Sequence, residues 1–261
     1  MKFEESPNSF RPRIIRKVKT GQDNFVMIQH QRLHYVEAGE GEPIIMVPGS
    51  YVTYRIWNHL LPLLAAEYRV LAPEYPGGLP GKAVELSLFE QTDLILKFGE
   101  QLKLGKVILM GGVKGGGVIF HLAALYPEMV KAIIGLEGGL IQPDGEHNHP
   151  KNALLKQWDR LKSVRKAKLD LEDEAREIRC PLLYLYGTGS DYKIIQLERN
   201  IAYLKENLPK AWIVALEGTM QGSARSCPQE IVNIILEFLH AELREDPASS
   251  TEQGKGGAGA T

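Results

Sequence analysis

The 261-residue chain carries 31 basic and 32 acidic residues, a net charge of −1, with 44% hydrophobic and 24% charged residues. That length and composition fit one large α/β domain better than two small ones, and the balanced charge excludes an electrostatic case for nucleic acid or a membrane surface. The longest apolar runs are of strand length and broken by glycine or charge, so no membrane span is expected.

MKFEESPNSF lacks the apolar centre of a signal peptide. Two cysteines, Cys180 and Cys227, are too few for a disulfide scaffold and lack metal spacing. The default reading is a reduced, cytoplasmic chain.

Residues 1–23 read as a polar arm with a basic stretch, Arg11–Lys19 (RPRIIRKVK). Asn24–Gln31 and Arg32–Ala38 read as a hairpin-like pair of strands. Pro43–Val47 (PIIMV) is a short apolar run of the kind buried in a parallel sheet. Trp57–Tyr68 has helical spacing, with Trp57, Leu60, Leu61 and Leu64 on one face. Tyr68–Pro73 is the next strand, then helix Phe89–Leu104, strand Lys106–Met110, helix Gly117–Tyr126 and strand Val130–Leu136.

An irregular insert, residues 141–178, follows, basic in its first half and acidic in its second. It reads as two short helices forming a lid. Pro181–Tyr186, Ile194–Asn207, Ala211–Leu216 and Gln229–Leu243 then alternate strand, helix, strand, helix. The expected organisation is a domain over 24–243 and a disordered tail over 244–261. Alternating strands and helices imply a mostly parallel sheet with helices on both faces. Ligands then sit beyond the carboxyl ends of the strands.

Several stretches together resemble the α/β-hydrolase fold superfamily: RLHYVEAGEGEPIIMVPGS, LPLLAAEYRVLAPEYPG, the glycine knot GGVKGGG before HLAALYPEMVKAIIGLEG, CPLLYLYG and PQEIVNIILEFL. The resemblance implies a nucleophile on the sharp turn after the fifth strand, within G-x-S-x-G. It implies a histidine after the last strand and an acid that orients it. In this chain the nucleophile position is Val113, the histidine position is Gln221, and the acid position falls near Ser190 or Asp191.

That absence does not depend on register. There is no Ser, Thr, Cys or Asp from Leu94 through Pro143, and no histidine from Pro150 through Leu239. A proton relay of the ordinary kind therefore lacks both donor and base. A β-branched valine tolerates a left-handed backbone poorly. The expectation is that Gly112 or Gly115 carries any positive φ at the turn.

Other groups could still bind. Ser50 and Lys114 supply backbone N–H groups where this fold places its oxyanion donors, and Lys114 starts a helix, a place that favours anions. Ser50, Tyr51 and Tyr54 could line a pocket, with Glu137 at its edge. His121 and His240 read as helix residues. His147 and His149 in DGEHNHP are too few for a metal site, and no cofactor is implied.

The expectation is a catalytically degenerate member of the fold. In lacking the triad it is similar to the N-myc downstream-regulated proteins. A small apolar or anionic ligand, or a protein partner, is implied. The alternative is a hydrolase or lyase using Lys114, Asp191 and Glu137.

Overall fold

The computed structural model describes residues 21–49, 53–76, 86–112, 114–136, 177–189, 194–217 and 223–243. Eight strands form one sheet: β1 (Gln22–Ile28), β2 (Gln31–Ala38), β3 (Pro43–Val47), β4 (Arg69–Pro73), β5 (Val107–Gly112), β6 (Val130–Leu136), β7 (Leu182–Gly187) and β8 (Trp212–Leu216). Their order is β1-β2-β4-β3-β5-β6-β7-β8. The pairs β1–β2 and β2–β4 are antiparallel and the rest parallel. The described helices are α1 (Leu61–Leu64), α2 (Leu88–Gln101), α3 (Lys114–Leu125), α4 (Ile194–Asn207), α5 (Ser223–Ser226) and α6 (Pro228–Glu242).

Period-two alternation divides the core between the two faces of the sheet. Ile44 and Met46 of β3, with Ile108 and Met110 of β5, face a cluster holding Leu64 of α1 and Ile235 and Phe238 of α6. Ile45 and Val47, with Val107 and Leu109, face Phe98 of α2, Ile119 of α3 and Leu204 of α4. Both faces of the central strands are covered, which is why they read as unbroken apolar runs. Among the described residues no helix is long and apolar enough to cross a membrane.

Several expected elements differ in detail. The single helix over Trp57–Tyr68 is a 3-10 turn, Tyr54–Trp57, followed by the four-residue α1. Pro62 sits in the first turn of α1, where its missing N–H is harmless; in the middle of a longer helix it would interrupt the ladder. Trp57, Leu60, Leu61 and Leu64 are nevertheless all buried.

The hairpin turns at Gln29–His30, with Ile28 opposite Gln31. Both turn residues are left-handed, at φ 47° and 68°, as a type I′ turn demands. With no Asn-Gly pair to mark it, the sequence reading set the boundary about two residues late. The strand and helix flanking the glycine knot are longer than expected: β5 runs on to Gly112 and α3 begins at Lys114. The lid expected over 141–178 lies outside the described residues, apart from Glu177 and Ile178, as do residues 1–20 and the tail.

Candidate functional site

The turn from β5 into α3 stands at the centre of the sheet, since β5 lies between β3 and β6. Its glycines are fixed by close approach. A Cβ on Gly111 would lie 2.5 Å from the Gly115 carbonyl oxygen. One on Gly112 would lie 3.1 Å from the Leu136 carbonyl oxygen and 3.2 Å from Cη2 of Trp57. One on Gly115 would lie 2.6 Å from the Val47 carbonyl oxygen and 3.0 Å from that of Pro48. Main chain therefore packs on main chain, with α3 pressed against the end of β3.

Neither Gly112 nor Gly115 is in the left-handed region. The expectation is that any positive φ at the turn falls on one of these glycines and not on Val113; neither carries one, Val113 lies outside the described residues, and the constraint on both glycines is space. The Trp57 ring, 2% exposed, meets the turn from the 3-10 segment.

Most residues singled out in the sequence fall outside the described set: Ser50, Tyr51, Val113, Glu137, Asp191 and Gln221. Lys114 is placed as the first residue of α3. The N-terminus of that twelve-residue helix, whose first N–H groups have no partner within the helix itself, thus begins at the turn.

Three of the described histidines are engaged away from the turn. His121 lies seven residues into α3, about 10 Å along the helix from its start, and is 1% exposed. Its Nδ1 is 2.9 Å from Thr92 Oγ1, whose hydroxyl donates to the Leu88 carbonyl. Thr92 must then accept, so His121 Nδ1 carries the proton. The edge-on Phe89 ring, 4.8 Å away, also places His121 against α2. His240 pairs with Glu67 at 3.0 Å. His34 is on β2, three strands from β5 and so about 14 Å across the sheet.

Sequence reasoning missed what surrounds His34. Its two ring nitrogens contact Asp23 of β1 and Glu74, the residue after β4. The signal was present as HYVEAG after QDNF, but the contact needs the β1–β2 register, which periodicity does not give. Tyr75, beside Glu74, is 7% exposed and its hydroxyl has no hydrogen-bond partner among the described residues. Burial pushes that phenol far above its ordinary value, so it stays neutral. Among the described residues no group of three or more His, Cys, Asp or Glu side chains could hold a metal ion.

The sheet order, the antiparallel first pair and the glycine turn at the centre define the α/β-hydrolase architecture. The sequence pattern of the α/β hydrolase fold family matches residues 42–176, and the chain belongs to that family.

Curated relatives are similar over less than half of the chain. Bifunctional epoxide hydrolase 2 of Sus scrofa is 32% identical over 110 residues, 40% of this chain and 20% of that one. The 2-hydroxy-6-oxo-6-phenylhexa-2,4-dienoate hydrolase of Burkholderia cepacia is 33% identical over 119 residues, 42% of this chain and 41% of that one. The chain thus spans less than half the length of these relatives.

Solved structures match over most of the chain. A bacterial membrane phospholipase A superposes with a TM-score of 0.70 at 17% identity, covering 86% of this chain and 87% of that one. The enol-lactonase from Burkholderia xenovorans LB400 does so at 0.64 and 16%, covering 83% and 99%. At these identities the likeness is one of fold.

Proposed function

We propose that this chain is a non-catalytic member of the α/β-hydrolase family that binds a small ligand at the β5–α3 turn. The ligand has an apolar body and one carbonyl or carboxylate oxygen. The observation that carries this reading is the pairing of a sterically locked glycine turn with a sequence that lacks both reactive groups. Valine stands at position 113, no Ser, Thr, Cys or Asp occurs from Leu94 through Pro143, and no histidine from Pro150 through Leu239.

Triad members act as a unit, so losing nucleophile and base together removes nearly all of the triad's contribution. What remains is the N-terminus of α3, whose N–H groups and dipole attract an oxygen or an anion. Trp57 supplies an apolar wall against Gly112. Val113, Asp191 and Gln221 are then vestiges of the triad, and Ser50, Tyr51, Lys114 and Glu137 border the ligand. The N-myc downstream-regulated proteins offer the analogy for a role in binding or regulation.

The test is to treat the purified protein with a fluorophosphonate probe and a panel of activated esters. Thermal unfolding is then measured with aryl and alkyl carboxylates against the matching alcohols. The expected result is no labelling, no turnover above buffer, and a rise in Tm with at least one carboxylate. Stoichiometric labelling overturns the reading.

A second reading is favoured by the names of the relatives, which are hydrolases. In it Lys114, Glu137 and Asp191 transfer protons without a covalent intermediate. Hydrolysis of an ester, lactone or epoxide that disappears in Lys114→Ala selects it.

A further inference from the structure

His34 projects from β2 between two carboxylates. Its Nδ1 lies 2.9 Å from Glu74 Oε2 and its Nε2 lies 2.8 Å from Asp23 Oδ1. The other oxygen of Glu74 accepts the Tyr54 backbone N–H at 3.2 Å. The Phe25 and Tyr54 rings lie 5.2 and 5.8 Å from the imidazole. The Arg32 guanidinium sits 3.6 Å from the Phe25 centroid.

Among the described residues, the charged groups around the ring are therefore Asp23 from β1, Glu74 after β4 and, across Phe25, Arg32 from β2. The 3-10 turn contributes the Tyr54 ring.

A neutral imidazole has one N–H and can donate to one carboxylate; the imidazolium donates to both. The two arms are unequal. The Asp23 side chain is 70% exposed and that of Glu74 is 19% exposed. Water can replace the partner of Asp23 at little cost, whereas Glu74 is more desolvated and also holds the Tyr54 amide.

We propose that His34 is a pH-operated latch on the edge strand β1. The protonated ring ties Asp23 and Glu74 together; the neutral ring keeps its Nδ1–H on Glu74 and releases Asp23. The imidazolium donates to both carboxylates and the neutral ring to only one, so loss of the ring proton opens the latch. The strand it frees is an outer strand of the sheet and carries the exposed Phe25 and Met27. The 3-10 segment beside the β5–α3 turn stays anchored through Glu74.

The test is a titration of the 15N-labelled full chain from about pH 5 to pH 8.5, reading the imidazole nitrogens and amide exchange. The Glu74 amide donates to the His34 carbonyl, so the alternation of an antiparallel ladder turns the Asn24 and Val26 amides towards β2.

As the ring becomes neutral, the expected result is an Nδ1–H tautomer with Nε2 bare. Protection at Asn24 and Val26 should fall about two- to fivefold, the size of a partly exposed pair, while Tyr54 keeps its protection. Asp23→Asn should abolish the β1 response, because the amide side chain offers an acceptor to the charged ring and a donor to the neutral one. A neutral ring protonated on Nε2, unchanged β1 protection through the titration, or loss of Tyr54 protection in step with β1 each overturns the proposal.

Discussion

Gly115→Ala tests whether the central turn is held by steric closeness. The added methyl would lie 2.6 Å from the Val47 carbonyl oxygen and 3.0 Å from that of Pro48. These are backbone atoms, so no rotamer change relieves the contact, and α3 must move away from β3. Overpacking of this kind costs about 1–3 kcal/mol. Against it stands the gain from replacing glycine in a helix, at most about 1 kcal/mol and less near a helix start. The net expectation is a loss of about 1–2 kcal/mol.

Gly99→Ala provides the matched control. It also lies in a buried part of a helix, α2, but its methyl would meet only Ile45 Cδ1, at 3.9 Å, an ordinary contact. It should stabilise by about 0.5–1 kcal/mol. In urea unfolding with an m-value of about 2.5 kcal/mol/M, the midpoint falls by about 0.6 M for Gly115→Ala and rises by about 0.3 M for Gly99→Ala. A midpoint for Gly115→Ala that rises with the control would falsify the close-packing account.

Removing the capping box of α2 by Ser87→Ala, which takes away the Oγ accepting from the Glu90 N–H, should cost about 1 kcal/mol in the same assay; no change would show the helix start to be held by packing alone. His30→Gly relieves a left-handed residue in the β1–β2 turn and should raise stability by about 1 kcal/mol in the same urea assay; a lower midpoint would show that the turn is not strained. Burial pushes both the Cys180 thiol and the Tyr68 phenol up to about 12, with Glu42 and Glu67 adding to the shift of Tyr68. Above about pH 9 the unfolded chain gives up protons that the folded chain keeps, so stability falls as pH rises beyond that point and is flat in this respect below it. Urea midpoints at about pH 7.5 and pH 10 should differ in that direction, with a smaller difference in Cys180→Ala; an equal or reversed difference sinks the assignment.

Parallel strands with both faces buried announce themselves as apolar runs, so PIIMV and the runs around Leu109 and Ile133 were legible from sequence. Helix α4 was placed from its spacing with the same boundaries, Ile194–Asn207. The turn at Gln29–His30 was not legible, because it lacks the Asn-Gly or Asp-Gly pair that marks a type I′ turn and only strand pairing reveals it. The break between Trp57 and Leu61 was misread because the buried face runs on through it, and hydrophobic spacing is blind to a proline that ends one turn and begins another. At the candidate site the sequence showed where Ser, Thr, Cys, Asp and His do not occur. It did not show why the glycines are required, since that depends on carbonyl groups of Val47, Pro48 and Leu136, distant in the chain and adjacent only in the folded sheet.

The steric lock at the turn has a consequence for how such a protein can change over time. Gly111, Gly112 and Gly115 answer to neighbouring backbone, not to a reactive side chain, so a lineage that abandons chemistry remains under the same selection to keep them. Architecture and reactivity become separately heritable. The residue at the head of the turn can drift while the cradle around it is preserved, so the chemistry a fold presents can change through side chains alone.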